Sequence, residues 1–140
     1  MPDQILTNQK ISKKVDTSDE WIKSRTGISE RRISSVEDDV SDMGYKAALN
    51  AIEKANWDVK TIDLIVLATS TPNDLFGSAP SIQAKLGASN AVAFDLTAAC
   101  SGFLFALITA SQFLKGGQFK RAIVIAVSYT HLTLPTKEEV

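Results

Sequence analysis

The sequence predicts an α/β fold in which helices cover both faces of a mainly parallel sheet. Three short runs rich in Ile, Val, Leu and Ala, at residues 62–69, 91–95 and 121–127, have the nearly continuous apolar character of strands buried on both faces. Segments with helical periodicity separate these runs, and the links between them are short. Strands and helices that alternate in this way form right-handed crossovers and a parallel sheet.

The N-terminal part of the chain predicts one short helix. Residues 1–15 are polar, lack a periodic apolar pattern and are predicted to be irregular. Thr17 followed by Glu20 fits a capping box, in which the hydroxyl accepts a hydrogen bond from a free backbone N–H and the glutamate reaches back. A helix is therefore expected over about residues 18–26, and Gly27 can adopt the left-handed conformation that ends it.

Two helices are predicted between residue 41 and the second strand. The first begins near Ser41 and repeats apolar residues at intervals of three and four, as one face of a helix requires. These residues are Met43, Ala47, Ala48, Ala51, Ile52 and Ala55. The second helix opens at residues 78–80, where Pro80 fits the first helical turn, and it ends at Gly87.

The last helix is predicted from Ser101 to about Lys115, and two glycines, Gly116 and Gly117, end it. Its large apolar residues suit a helix that is buried in the core. These residues are Phe103, Leu104, Leu107, Ile108 and Leu114. The third strand follows directly after the glycines.

Composition excludes several classes of protein. The formal net charge is −1 and the densest basic stretch is residues 30–32, so neither a nucleic acid nor a membrane surface is expected as a partner. A single cysteine excludes an internal disulfide framework and a cysteine-rich zinc site, and no metal is expected. The chain has no apolar run near the ~20 residues of a membrane span and does not start with a signal peptide. A cytoplasmic protein is therefore expected.

Cys100, the only cysteine, falls where the second strand passes into the last helix. The first N–H groups of a helix lack internal partners and carry partial positive charge, so they can stabilise a thiolate and the oxyanion of a thioester. Ala98, Ala99 and Gly102 leave room for a substrate. These residues alone leave open that Cys100 is a buried packing residue, because free cysteine is often buried. No base can be named near it from the sequence.

A longer motif points to a family. Residues 15–32, VDTSDEWIKSRTGISERR, closely resemble a motif of the β-ketoacyl-acyl-carrier-protein synthase III family, which are condensing enzymes with the thiolase fold. The resemblance continues through residues 40–44, 64–69 and 93–103. It covers nearly everything from residue 3 to about residue 126. The fold implied is the N-terminal part of a thiolase fold.

The resemblance implies a role for five residues. Cys100 matches the nucleophile that takes the acyl group from acyl-CoA as a thioester. Trp21 matches a tryptophan that stacks against the CoA adenine, Arg25 an arginine at the nucleotide end of CoA, and Thr17 a weaker polar contact there. Phe76 resembles the phenylalanine that reaches across a homodimer to wall the partner's acyl pocket. A flat indole and a nearby guanidinium suit a base and a phosphate on physical grounds too.

The resemblance also implies an activity. A short acyl-CoA, expected to be acetyl-CoA, condenses with malonyl-acyl-carrier protein to a β-ketoacyl product that initiates fatty-acid synthesis, without a metal or redox cofactor. Three alternatives stay open. A related synthase of natural-product priming or hydroxymethylglutaryl type differs in its substrates. A cysteine redox enzyme or sensor would lack the motif around Trp21 and Arg25. A non-catalytic chain would act only as an interaction module.

Three departures from the family are expected to matter. Family members have a strand before the position of Met1, so we expect residues 1–127 to form a partial domain that is one strand short. The family's catalytic histidine and asparagine belong to the second half of the fold, and His131 does not match that motif. The segment 128–140, SYTHLTLPTKEEV, departs from the family and is hypothesised to be non-native. We expect a chain that cannot finish the condensation and exposes a large apolar patch.

Overall fold

The computed structural model describes residues 2–35 and 38–129, which fall into two compact units that meet in sequence between Asp38 and Asp39. Within those ranges, no helix is both long enough and apolar enough to cross a membrane. Residues 130–140 lie outside the described residues, and with them His131 and most of the segment predicted to be non-native. The boundary at residue 127, the missing strand and the origin of residues 128–140 therefore stay predictions.

The first unit is built on a small antiparallel pair of strands. Strand β1 (Gln4–Thr7) pairs with β2 (Glu30–Ile33), so that Gln4 lies opposite Ile33. Between them lie a single helical turn, α1 (Asn8–Ile11), and the helix α2 (Asp19–Thr26). The prediction that residues 1–15 are irregular was wrong. Four-residue strands have too few positions for an alternating pattern, and β1 is held by a partner distant in sequence.

Helix α2 confirms the predicted segment, but its cap is one residue later than predicted. The hydroxyl of Ser18 accepts a hydrogen bond from the backbone N–H of Trp21 at 3.1 Å, so Ser18 and not Thr17 is the N-cap. Gly27 ends the helix with φ of 71°, as predicted. The prediction of a capping box formed by Thr17 and Glu20 is therefore wrong, and the Thr17 hydroxyl does not cap α2.

The second unit has the predicted parallel sheet. Its elements are α3 (Val40–Ala55), β3 (Leu64–Ala68), α4 (Ala79–Leu86), β4 (Val92–Leu96), α5 (Gly102–Lys115) and β5 (Ala122–Ala126), with 3-10 turns at Val59–Thr61 and Ala99–Ser101. The strand order is β4-β3-β5, and both pairings are parallel. All three predicted strands and all three predicted helices of this unit are confirmed to within two residues.

The core lies on the two faces of β3, whose five residues are all buried. Ile65 and Leu67 pack with residues of α3 and α4 on one face of the sheet. Leu64, Val66 and Ala68 pack with α5 on the other face. Because successive residues of a strand point to opposite faces, the continuous apolar run fills both layers at once.

Helix α5 meets the sheet with its small residues, contrary to prediction. Its buried positions are Gly102, Ala106 and Ala110, spaced four apart on one face. The large apolar residues predicted to be buried point away from the sheet and are between 37% and 58% exposed; they are Phe103, Leu104, Leu107, Ile108 and Leu114. The prediction of a buried helix was wrong because apolar periodicity does not say which face meets the sheet. The outer face is instead the exposed apolar patch that was expected.

Candidate active site

Cys100 lies at the predicted turn between a strand and a helix. Strand β4 ends at Leu96, Cys100 is in the 3-10 turn that follows, and α5 begins at Gly102. The cysteine side chain is exposed, so burial does not explain it in the described chain. The N-cap residue of α5, Ser101, makes no side-chain hydrogen bond that caps the helix. The helix N-terminus therefore presents backbone N–H groups and partial positive charge beside the thiol.

The backbone before Cys100 is strained. Ala99 has φ of 45°, in the left-handed region that residues with a side chain rarely adopt. Such a conformation costs on the order of 1 kcal/mol and persists only where its surroundings enforce it. Here the Ser101 N–H donates to the Ala98 carbonyl at 3.0 Å, and the Thr97 hydroxyl donates to the Thr69 carbonyl at 3.0 Å. These bonds hold the turn in one geometry and present the Cys100 side chain to solvent.

Gly102 brings the start of α5 close to the sheet. A methyl group at this position would come within 3.2 Å of the Ala68 side chain, at the carboxyl end of β3. Ligands of open α/β sheets bind outside the carboxyl ends of the strands. The close approach therefore fixes Cys100 at the edge of the sheet where a ligand is expected.

Trp21 and Arg25 come together on α2 in the first unit. The Arg25 guanidinium carbon lies 5.9 Å from the centroid of the Trp21 ring, and the indole is 59% exposed. A cavity of about 260 Å³ is lined by Trp21 together with Asp16, Thr17 and Ser18. This pair offers a flat aromatic face and a positive charge, which suit a base and a phosphate.

The Thr17 hydroxyl is buried and has no hydrogen-bond partner within residues 2–35 and 38–129. An unpaired buried hydroxyl costs about 1–3 kcal/mol relative to a paired one. The cavity beside Trp21 is where a polar ligand atom or a water would remove that cost. Thr17 and Trp21 thus line the same cavity, and the resemblance implies that both residues contact CoA.

Asn8 is a buried polar residue that the sequence did not single out. It is 1% exposed, and its amide donates to the Asp19 carboxylate at 2.7 Å and to the Ile28 carbonyl at 2.8 Å. Its oxygen accepts a hydrogen bond from Arg31. The pKa of Asp19 lies below its ordinary value, first because Lys23 donates a hydrogen bond to the carboxylate and then because Asn8 does. Asn8 thereby fixes both ends of α2.

Phe76 lies at the tip of the loop between β3 and α4, in the same unit as Cys100. Phe76 and its neighbour Leu75 are almost fully exposed. The Asp74 carboxylate accepts a hydrogen bond from the Phe76 N–H at 2.8 Å, which shapes the tip.

Of the five predicted site residues, Thr17, Trp21 and Arg25 belong to the first unit. Phe76 and Cys100 belong to the second.

No group of three or more His, Cys, Asp or Glu side chains that could hold a metal ion occurs in the part of the chain that the structure describes. The arrangement is that of an exposed thiol at a strained turn. This arrangement suits thioester chemistry, in which a thiolate attacks the carbonyl carbon and backbone N–H groups stabilise the oxyanion that forms.

Comparisons with known proteins agree with this chemistry. The sequence model of the family described as 3-Oxoacyl-[acyl-carrier-protein (ACP)] synthase III matches residues 94–133, which include Cys100. A protein of Prochlorococcus marinus (strain MIT 9301), named beta-ketoacyl-[acyl-carrier-protein] synthase III, is 87% identical over 125 residues. The protein of the same name from strain NATL2A is 63% identical over 124 residues. Each alignment covers 89% of this chain and 37% of the relative.

Solved structures of similar proteins share the fold. The 3-oxoacyl-[acyl-carrier-protein] synthase III of Aquifex aeolicus VF5 is 46% identical with a TM-score of 0.86, over 91% of this chain and 42% of that one. The priming β-ketosynthase of the R1128 polyketide pathway is 36% identical with a TM-score of 0.85, over 91% and 38%. The comparisons therefore confirm the resemblance to the β-ketoacyl-[acyl-carrier-protein] synthase III family, and the chain spans a little over a third of the length of the curated relatives that it matches.

Proposed function

We propose that this chain carries the acyl-accepting site of a β-ketoacyl-acyl-carrier-protein synthase III. The observation that carries the proposal is the exposed Cys100 at a strained turn before α5, inside the segment matched by the family. A strained strand-to-helix turn exposes a nucleophile and points helix N–H groups at the oxygen of the carbonyl group that it attacks. A packing or purely structural cysteine has no need of this geometry.

In the first step, the Cys100 thiolate attacks the carbonyl carbon of a short acyl-CoA. A bond forms between that carbon and the cysteine sulfur, and the carbonyl oxygen becomes an oxyanion beside the backbone N–H groups at the start of α5. The bond to the CoA sulfur then breaks. CoA leaves as a thiolate and takes up the proton that Cys100 released on ionising, so the acyl group is left as a thioester on the cysteine.

The first unit supplies the contacts for CoA. We propose that the adenine stacks on the exposed Trp21 ring and that Arg25, which lies over the same ring, binds phosphate or the base edge. The unpaired Thr17 hydroxyl contributes a polar contact from the same cavity. These contacts recognise the nucleotide end of CoA, which takes no part in the bond changes at the thioester.

In the second step, malonyl-acyl-carrier protein loses carbon dioxide, and the resulting carbanion attacks the thioester carbon. The bond to the Cys100 sulfur breaks and the thiol is restored by a proton. The family resemblance assigns this step to a histidine and an asparagine in the second half of the fold. We propose that the 140-residue chain by itself stops at the acyl-enzyme.

Two further properties belong to the proposal. The exposed Phe76 is proposed to wall the acyl pocket of the other protomer in a homodimer. The protein is proposed to act in the cytoplasm, because an exposed Cys100 that must remain a thiol needs a reducing compartment.

A second candidate is the priming of natural-product synthesis, favoured by the likeness to the R1128 priming β-ketosynthase, 36% identical with a TM-score of 0.85. The two candidates share the Cys100 acyl-enzyme and differ in the acyl-CoA that they prefer. A redox cysteine, in contrast, would react with peroxide and form no acyl-enzyme. Relative rates with acetyl-CoA and with longer or branched acyl-CoA therefore separate the two synthase candidates.

The test uses a full-length hybrid in which the 125 aligned residues of this sequence replace their counterparts in the Prochlorococcus marinus MIT 9301 relative. Mass spectrometry after incubation with acetyl-CoA is expected to find one acetyl group on Cys100, and addition of malonyl-acyl-carrier protein is expected to give the ketoacyl product. The matched variant Cys100→Ala should show neither. A hybrid that folds but never acylates, or acetylation that persists in Cys100→Ala, would overturn the proposal.

A further inference from the structure

We infer that Asp95 is a positioning residue that sets acyl-chain selectivity. It holds the loop that carries Phe76 against the strand that leads to Cys100. The inference rests on the proposed function, since it takes Phe76 as a wall of the acyl pocket of the other protomer in a homodimer. Four structural observations support it, and each concerns the second unit alone.

The Asp95 carboxylate caps a helix that belongs to another part of the chain. Its two oxygens accept hydrogen bonds from the backbone N–H groups of Ser78 at 2.8 Å and Ala79 at 2.7 Å. Ser78 is the N-cap residue of α4, yet its own side chain makes no capping bond. Both residues are buried, so their N–H groups need an acceptor, and Asp95 provides it from strand β4.

Gly77 fits closely over the same carboxylate. It has φ of 87°, and a methyl group at this position would come within 3.2 Å of the Asp95 carboxyl carbon. Both the backbone conformation and the close contact therefore require glycine here. Because Gly77 directly follows Phe76, the contact with Asp95 lies one residue from the exposed ring.

The other end of the loop is fixed to α3. The Asn73 amide donates to the Asp39 carboxylate at 2.9 Å, and its oxygen accepts a hydrogen bond from the Val40 N–H at 3.1 Å. The Asn73 N–H donates to the Ser78 hydroxyl at 3.0 Å, which joins the two ends. With both ends held, the apolar tip at residues 75–76 has a defined place relative to the sheet.

Asp95 and Cys100 belong to one short segment. Asp95 pairs with Leu67 in the sheet, and Thr97 is bonded to the Thr69 carbonyl, so the chain between Asp95 and the turn is fixed to β3. The Asp95 carboxylate therefore fixes the loop that carries Phe76 relative to the segment that ends at Cys100. If this contact is lost, Phe76 can withdraw from the pocket that it walls, and the pocket then admits longer acyl chains.

The experiment measures selectivity in the hybrid. For Asp95→Asn, whose amide group cannot accept both N–H bonds, the ratio of kcat/KM for acetyl-CoA to that for hexanoyl-CoA should fall by about tenfold. The matched control is Asp63→Asn. The Asp63 carboxylate also accepts two backbone N–H bonds, from Lys120 at 2.7 Å and Arg121 at 2.9 Å, but it lies before the opposite end of β3. This control should leave the ratio unchanged.

Two further measurements keep the inference testable. Amide hydrogen exchange at Ser78 and Ala79 needs no catalysis and should become at least tenfold faster in Asp95→Asn. If that variant does not fold, Gly77→Ala disturbs the same contact from the other side and should shift selectivity in the same direction. An unchanged ratio, or an equal change in Asp63→Asn, overturns the inference.

The exchange measurement separates this inference from the proposed function. A hybrid that forms no acyl-enzyme on Cys100 would overturn the proposed function and the selectivity role with it. Exchange at Ser78 and Ala79 would still decide whether Asp95 holds the loop. Unaltered exchange in both the Asp95 and the Gly77 variants would overturn the positioning role even if acylation is normal.

Discussion

The Arg25 guanidinium carbon lies 5.9 Å from the centroid of the Trp21 ring, one helical turn away on α2. A cation held over one face of an indole places positive charge beside the ring and leaves the opposite face to a ligand. Because this pair is formed within one helix, it exists before any ligand arrives. Binding of a nucleotide therefore requires little ordering of either side chain.

Loss of this pair is predicted to weaken the binding of acetyl-CoA without slowing the acylation of Cys100. Trp21→Ala in the hybrid should raise the KM for acetyl-CoA roughly tenfold or more, since stacking on an aromatic ring contributes about 1–3 kcal/mol per base. Maximal acylation of Cys100 at saturating acetyl-CoA should change little. The control is Trp57→Ala, which removes a second Trp–Arg pair, with Arg121 5.7 Å from the ring, in the other unit. Equal changes in KM for both variants would contradict the assignment.

Asn8 predicts a loss of stability. Asn8→Ala removes the donor to Asp19 and the acceptor for Arg31, and both charged partners lose a partly buried hydrogen bond. The free energy of unfolding of the hybrid should fall by about 2–3 kcal/mol in urea titrations. Gln9→Ala, at the exposed neighbouring position, should change it by less than about 0.5 kcal/mol. Similar values for the two variants would show that the buried network does not stabilise α2.

Asp63 predicts a pH dependence. The N–H groups of Lys120 and then Arg121 hold the pKa of this carboxyl below its ordinary value of 3.8. A carboxyl with a lower pKa in the folded state stabilises the fold above its unfolded pKa, and this contribution is lost as the pH falls through the folded value. The Tm should therefore drop less between pH 6 and pH 3 for Asp63→Asn than for the unaltered hybrid. Parallel pH profiles would contradict this.

The exposed apolar face of α5 predicts self-association of the 140-residue chain. Sedimentation velocity should show oligomers that Leu104→Lys and Leu107→Glu reduce, because both side chains are about half exposed and their replacement leaves the core intact. Ala106→Glu is the matched control on the buried face of the same helix, and it should unfold the chain. Oligomers that persist in the double variant would place the association elsewhere.

Much of the second unit could be predicted because its signals are local. Runs of β-branched and aliphatic residues predict strands β3 and β5. Gly87 ends α4 in the left-handed conformation that glycine favours. The position of Cys100 followed from the order of a strand and a helix. The exposure of Phe103 did not, because periodicity gives the apolar face of a helix but not the neighbour that covers it.

The unpredicted parts depend on contacts between residues distant in sequence. Asn8 is important because Asp19, Ile28 and Arg31 surround it, and nothing in the adjoining residues indicates this. Asp95 resembles any polar residue near a strand end until its carboxylate is seen to bind the N–H groups at the start of α4. Local patterns predict elements, while capping by a distant side chain must be observed in the fold.

The central place of β3 has a consequence for how the chain folds. Leu64 pairs with Val92 on one side and with Ala122 on the other, and both pairings are parallel. The second pairing joins segments that are far apart along the chain, so the entropy of closing that long loop must be overcome before the sheet is complete. Docking of β5 onto β3 is therefore expected to limit the folding rate. Until it occurs, one edge of the most apolar strand remains open to pairing with other chains.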